Sequence, residues 1–319
     1  MRRLRISLFR FIKKGTPYSR RSMPCCVNIV KSMVSGMEKI LFKGIMPALP
    51  TPVDSSEKLK KGVIEQLMDF DYAGGVNGFY VCGATGEGPA LPVKTRMETL
   101  EAVIAHNNGR GKIIAHIGGP NFTDVKKLIA HAEKSGADAI SSMAPNAYYS
   151  HKNSEIVNYY KKIASLTSLP VVIYVTPLLL GNDLTKVFEE LMSVDNIIGL
   201  KFTLKDYYLM SMLKMINSGN INIINGPDEM LLAGLAMGAD GGIGSTYNVM
   251  PHRYVALYNA FIAGDIQKAR QIQYDINKVV SVLIKNDNCF AAVKATLTLF
   301  GIDMGSTVFP GAKFSKQDM

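Results

Sequence analysis

From Gly44 onward the chain repeats one unit eight times: a short apolar run, then a longer amphipathic stretch. The apolar runs are Gly44–Leu49, Gly78–Val81, Lys112–Ile117, Ala139–Met143, Val171–Val175, Ile197–Phe202, Ile221–Ile224 and Gly241–Ile243. Most are apolar along their length instead of alternating, which is how strands buried on both faces read. Helical spacing marks the stretches between them: Gly62–Ala73, Lys94–His106, Phe122–Ser135, Ser154–Leu166, Thr185–Met192, Lys205–Ile216 and Glu229–Met237. Two helix–strand junctions, Ser135-Gly136-Ala137-Asp138 and Met237-Gly238-Ala239-Asp240, carry nearly the same phrase, with glycine as the helix stop. Eight such units predict an α/β protein closed into a (β/α)8 TIM barrel rather than an open, doubly wound sheet. An open dinucleotide-binding sheet wants G-x-G-x-x-G after its first strand, and this chain has Pro47-Ala48-Leu49-Pro50-Thr51-Pro52. Three more helical stretches follow, Pro251–Ile262, Ile266–Ile284 and Cys289–Phe300. They read as the last barrel helix and a C-terminal helical extension.

Charge narrows the partner classes. The formal net charge of +10 suggests a polyanion binder, but nine of the 36 basic residues, and no acidic one, fall in residues 1–36. The remaining 27 basic residues face 26 acidic ones. A nearly neutral body has no field to draw a phosphate backbone, so no nucleic-acid partner is expected. Four cysteines, Cys25, Cys26, Cys82 and Cys289, are too few for a disulfide framework in 319 residues. They point to a reducing compartment, hence a cytoplasmic body. With no C-x-x-C, no H-E-x-x-H and five scattered histidines, no metal site is expected.

Residues 1–36 read as a separate basic leader. The run Ile6–Phe9 is too short to span a membrane and is followed at once by Arg10, so no membrane partner is expected. Arginine-rich, serine-containing, acid-free composition is that of an organelle transit peptide. A disordered leader ahead of a start at Met37 is the other reading of the same composition. Residues 37–319 contain no low-complexity linker and are expected to form one domain.

In a barrel of this kind the reactive groups sit where strands end and the following loops begin. Lysine 201 lies within Ile197-Ile198-Gly199-Leu200-Lys201-Phe202-Thr203. A lysine there marks either the wet end of the strand or a dry pocket, and a dry pocket makes it a nucleophile toward ketones. Strand five ends in Tyr174-Val175-Thr176-Pro177, which offers a phenol for proton transfer. Strand two ends in Gly83-Ala84-Thr85-Gly86-Glu87, whose backbone N–H groups and threonine hydroxyl suit a carboxylate. Together these parts suit carbon–carbon bond cleavage or formation on a 2-oxo acid.

Those phrases, with Gly199-Leu200-Lys201-Phe202-Thr203 and Gly238–Asn248, resemble the pyruvate-dependent class I aldolases, the family of dihydrodipicolinate synthase and N-acetylneuraminate lyase. The resemblance covers roughly residues 40–300. It implies a (β/α)8 barrel, a homotetramer, a small-molecule 2-oxo or sugar acid as partner, and no cofactor. By resemblance, Lys201 is the Schiff-base lysine, Tyr174 the proton-transferring tyrosine, and Thr85 the second hydroxyl residue of the carboxylate turn. The first hydroxyl residue of that turn is replaced by Ala84, so one donor is missing or supplied by water. The family also brings in a tyrosine after strand four. Ungapped alignment puts Ala147 there, and a one-residue shift puts Tyr148.

Within the family the sugar-lyase branch fits better than the synthase branch. The synthases place an arginine after the fifth strand, where this chain has Leu178-Leu179-Leu180. The loops Gly226-Pro227-Asp228-Glu229 and Gly244-Ser245-Thr246-Tyr247-Asn248 are similar to the lyase's polyol-binding loops. Gly226, Asp228, Glu229 and Ser245 would then bind sugar hydroxyls, with Thr203 a further binding residue. The resemblance thus implies reversible cleavage of N-acetylneuraminate to pyruvate and N-acetylmannosamine. A 2-keto-3-deoxy sugar-acid aldolase, a dihydrodipicolinate synthase and a catalytically weakened 2-oxo-acid-binding barrel are the alternatives.

Overall fold

The computed structural model describes residues 41–145, 149–179, 181–285, 288–308 and 310–311. The leader expected over residues 1–36 lies outside the described residues. Eight strands form one parallel sheet: β1 (Gly44–Pro47), β2 (Gly78–Val81), β3 (Lys112–His116), β4 (Ala139–Met143), β5 (Val171–Val175), β6 (Ile197–Phe202), β7 (Asn222–Asn225) and β8 (Gly241–Gly244). Each pairs with its sequence neighbour from β2 through β8, and β8 pairs with β1. The last seam, β1 against β2, is held by a parallel bridge between Ala48 and Tyr80. There Leu49 N–H donates to the Tyr80 carbonyl at 3.0 Å and Asn77 N–H to that of Ile45 at 2.8 Å. The sheet is a barrel, as the repeat of eight units predicts.

The described helices are α1 (Lys61–Ala73), α2 (Val93–Asn107), α3 (Phe122–Ser135), α4 (Asn153–Ala164), α5 (Leu184–Leu191), α6 (Tyr207–Lys214), α7 (Leu231–Ala236), α8 (Pro251–Ile262), α9 (Ile266–Leu283) and α10 (Cys289–Leu299). Several begin at a side-chain cap, as the first N–H groups of a helix require. Asn121, Asp183, Asp206, Asp265 and Asn288 accept from those N–H groups of α3, α5, α6, α9 and α10. The Asp206 cap explains why α6 starts at Tyr207, two residues after the Lys205 that the spacing suggests. The stretch expected to be helical from Glu229 instead opens as a 3-10 turn over Asp228–Met230. That turn frees Asp228 to face the barrel mouth.

Alternate strand residues serve two cores, and this explains why most strand residues are apolar. Met46, Tyr80, Ile114, Val172, Tyr174 and Ile224 share the barrel interior. Their neighbours Ile45, Phe79, Ile113, Val171, Ile173 and Ile223 pack outward in the larger core shared with the helices. Each fully buried aliphatic side chain stabilises the fold by about 1.5–3 kcal/mol.

One strand breaks the alternation. Val171 of β5 pairs with Ile197, but Val172 pairs with Gly199, so β6 carries one extra residue. Such a bulge shifts every later side chain to the opposite face. Ile197 packs in the outer core, and strict alternation would send Lys201 there too. With the extra residue, Leu200 and Phe202 face outward instead, and Lys201 turns inward with Tyr174, its register partner. Glycine suits residue 199, because a Cβ there would lie 1.9 Å from the Asn222 carbonyl oxygen.

The repeated Gly-Ala-Asp phrases are structural, at the end of the barrel away from the loops just described. Gly136 and Gly238 adopt φ of +86° and +97°, a conformation that favours glycine. Asp138 accepts from Ile113 N–H at 2.8 Å and Asp240 from Ile223 N–H at 2.9 Å, so each aspartate stitches a helix stop to the preceding strand.

Candidate active site

Lys201 is only 4% exposed. Its Nζ stands 4.4 Å from the centre of the Tyr80 ring and 4.3 Å from that of Tyr174. Among the described residues no carboxylate lies within ion-pair distance of it. A buried ammonium without a counter-ion is costly. Burial accordingly brings the Lys201 amine down to about 7, with the charge of Asp228 opposing. The dry-pocket reading of this lysine therefore holds, and its wet-end reading fails.

Tyr174, 6% exposed, ends β5 beside Lys201. Burial raises its phenol, so it rests protonated, and the Thr203 hydroxyl partly offsets that rise. Thr203 sits against Gly226, where a Cβ would lie 2.1 Å from the Thr203 Oγ1. Gly226 is thus a space-maker for Thr203, and its N–H is already spent on the Phe202 carbonyl at 2.8 Å.

The turn Gly83–Glu87 closes on itself, with Glu87 N–H donating to the Ala84 carbonyl at 2.9 Å. Thr85 is buried, and its Oγ1 lies 2.8 Å from Ser245 Oγ. Ser245, expected among the polyol-binding residues, therefore provides a second hydroxyl at the turn where Ala84 lacks one. Asn248 holds that serine's loop in place, donating Nδ2–H to the Ser245 carbonyl at 2.7 Å and to that of Ala48 at 2.9 Å.

Asp228 is fixed by its neighbours. Its Oδ2 accepts from Thr246 N–H at 2.7 Å and from Thr246 Oγ1–H at 2.6 Å. Tyr254 Oη in turn lies 2.6 Å from Thr246 Oγ1. Burial lifts the Asp228 carboxyl to about 6, against the two Thr246 bonds. Glu229 is half-exposed, with Oε1 3.1 Å from Lys205 Nζ. Tyr148 lies outside the described residues, and the adjacent Tyr149 is 77% exposed.

A cavity of about 320 Å³ opens beyond the ends of β3, β4 and β5, lined by Gly118, Met143, Ala144, His151 and Leu178 among others. Leu178, one of the three leucines that stand where the synthases are expected to carry an arginine, lies in this wall.

Reading by sequence alone misses Tyr80 and His116. The Tyr80 ring shares Lys201 with that of Tyr174, and its hydroxyl donates to Ser141 Oγ at 3.0 Å. Burial and the nearby cations Arg96 and Lys201 keep His116 well below its usual range, so it is neutral. Its Nε2 accepts from Met143 N–H at 3.3 Å, which leaves the proton on Nδ1, 3.2 Å from the Cys82 carbonyl. The parity of β2 was the available signal for Tyr80: it stands between the outward pair Phe79 and Val81.

Comparison with known proteins agrees with this geometry. The family model described as the dihydrodipicolinate synthetase family matches residues 41–318. The chain is 36% identical over 278 residues to N-acetylneuraminate lyase of Rhizobium meliloti, covering 87% of this chain and 92% of that protein. It is 37% identical over 258 residues to the lyase of Shigella boydii, covering 80% and 86%. Among solved structures, the sialic acid aldolase of Ruminococcus gnavus superposes with a TM-score of 0.83 at 31% identity, covering 87% of this chain and 93% of that one. The Clostridium difficile protein CdNal, solved in complex with mannosamine, gives 0.82 at 29% identity, covering 87% and 95%. With eight parallel strands, a buried lysine on the sixth and these matches along most of its length, the chain belongs to the dihydrodipicolinate synthetase family.

Proposed function

We propose that this chain is a class I aldolase that reversibly cleaves N-acetylneuraminate to pyruvate and N-acetylmannosamine. The observation that carries the reading is Lys201: sealed from solvent, faced by two aromatic rings, and free of any ion pair among the described residues. With its amine at about 7, a large fraction is the neutral nucleophile at physiological pH. The lyase names carried by relatives over most of the chain support the choice of substrate.

Lys201 Nζ attacks the keto carbon, and loss of water gives a protonated imine. The Thr85 turn and Ser245 hold the adjacent carboxylate. Tyr174, protonated at rest, gives its proton to the departing hydroxyl oxygen. The resulting phenolate takes the proton of the C4 hydroxyl, and the C3–C4 electron pair flows into the imine. The aldehyde leaves as N-acetylmannosamine. The enamine is then protonated at C3, and hydrolysis releases pyruvate and the free amine. Tyr148 is the further tyrosine proposed for this relay. Asp228, Glu229, Thr203 and the Gly226 carbonyl face the polyol chain, where carboxylates and carbonyls accept from hydroxyls. A homotetramer is the proposed assembly, supported by exposed apolar residues of α9 and its C-terminal neighbour, Tyr274, Val282 and Ile284.

Borohydride reduction in the presence of pyruvate tests the chemistry. It should add a reduced pyruvyl increment to the peptide holding Lys201, and no adduct would overturn the aldolase reading. A substrate panel then tests the branch. Faster cleavage of 2-keto-3-deoxygluconate than of N-acetylneuraminate would reject the sugar proposed here.

A further inference from the structure

Glu87 closes the carboxylate-binding turn, yet the chemistry above leaves its side chain idle. Its backbone is left-handed, with φ of +53°, which is unfavourable for a residue with a Cβ. From there its carboxylate reaches the C-terminal extension. Oε2 lies 2.6 Å from Lys294 Nζ on α10, 207 residues away in sequence, and Oε1 accepts from Val308 N–H at 2.8 Å. Lys294 Nζ also donates to the Ser306 carbonyl at 2.9 Å. The lysine side chain is 2% exposed and that of the glutamate 12%, so the pair is buried. The segment that receives Glu87 is itself tied to the β1 end of the barrel: Val53 bridges Gly305, and Lys60 pairs with Asp303 at 2.6 Å.

A buried ion pair is a poor way to stabilise a fold, since apolar residues of the same volume do as well or better. What it supplies is direction: two charge-assisted hydrogen bonds, from Lys294 Nζ and Val308 N–H, that fix one carboxylate in one place. That carboxylate is two residues from Thr85. The other ties on the turn are neutral, including Thr51 Oγ1–H to the Gly86 carbonyl at 2.7 Å and Gly88 N–H to that of Gly83 at 3.0 Å. We propose that Glu87 and Lys294 are positioning residues, through which the C-terminal extension sets the height of the Thr85 turn and so the affinity for the 2-oxo acid's carboxylate. This rests on the reading of Gly83–Glu87 as the carboxylate site.

The test uses the full chain and three variants: Lys294→Met, Lys294→Arg, and Glu87→Gln combined with Lys294→Met. Each is followed by thermal unfolding and by the pyruvate concentration that half-saturates borohydride trapping. Lys294→Met leaves a buried carboxylate unpaired and is expected to unfold at lower temperature. The double variant removes both charges and should recover most of that stability. Its half-saturating pyruvate concentration should nevertheless rise about ten-fold, the factor that one well-aligned hydrogen bond to a charged group carries. Its kcat in the cleavage direction should change less than about three-fold, because Lys201 and Tyr174 keep their places. Lys294→Arg, which retains a charged donor, should bring the pyruvate value back toward the parent's. A double variant as stable as the parent, with unchanged half-saturation, would overturn the proposal and leave the pair purely structural. Failure of the parent itself to trap pyruvate would instead defeat the aldolase reading, so the two failures are distinguishable.

Discussion

Lys201 and Lys294 are both almost sealed from solvent, at 4% and 2% exposure, yet the barrel treats them in opposite ways. Lys294 receives a carboxylate at 2.6 Å and a backbone carbonyl, as a permanent cation in a low-dielectric site requires. Lys201 receives two tyrosine rings and an aspartate whose nearer commitments are to Thr246. Burial lowers both amines, but at Lys294 the contact with Glu87 works against the fall. At Lys201 the fall runs to about 7. Withholding a counter-ion is therefore what separates a nucleophile from a structural tie.

The largest effect that can break this contrast is Lys201→Met. It should abolish pyruvate trapping and lower turnover by at least about 10⁴-fold, while raising stability. The free-lysine value of 10.5 exceeds the folded value of about 7, so the unfolded chain binds more protons between them. The cost of burying Lys201 is thus full below pH 7, fades as pH rises toward 10.5, and vanishes above it. Denaturant titrations should show Lys201→Met more stable by about 2–4 kcal/mol at pH 6, and by little at pH 10. Tyr174→Phe comes next: steady-state turnover should fall about 10²–10⁴-fold through the lost proton carrier, with pyruvate still trapped on Lys201. Lys294→Met should behave in the reverse sense to Lys201→Met, destabilising by about 3–5 kcal/mol in the same titrations. A pH profile sharpens the comparison further. Because only the neutral amine attacks, log kcat/KM should climb with a slope near one below pH 7 and flatten above it. Ala84→Ser gives the smallest effect: a hydroxyl restored to the carboxylate turn should tighten pyruvate half-saturation by about two- to five-fold. An unchanged value would mean that Ser245 already fills that role.

The repeat of apolar runs made the barrel legible, because burial on two faces leaves a strand mostly apolar. Lys201 stood out as a charged residue in an apolar run, and Tyr174 and Thr85 by their places at the ends of strands five and two. The shell around Lys201 was less so. Tyr80 looks like core, and only its inward parity brings it to the lysine. Ser245 reads as a polyol ligand until the closure of β8 onto β1 sets it against Thr85. The Asp228 strap from Thr246 and Tyr254 depends on a 3-10 turn that helical spacing through Glu229 concealed. For Ser245 the missing information was which strand ends meet, a property of barrel closure that no local pattern contains.

The extra residue in β6 makes the nucleophile's address a matter of counting. Deleting Ile198 would remove the bulge and leave plain alternation from Ile197 with Lys201 still inward, whereas straightening the strand with Ile198 in place would turn Lys201 outward. In this strand the bulge and its extra residue compensate each other: losing both keeps the lysine facing inward, and losing the bulge alone does not.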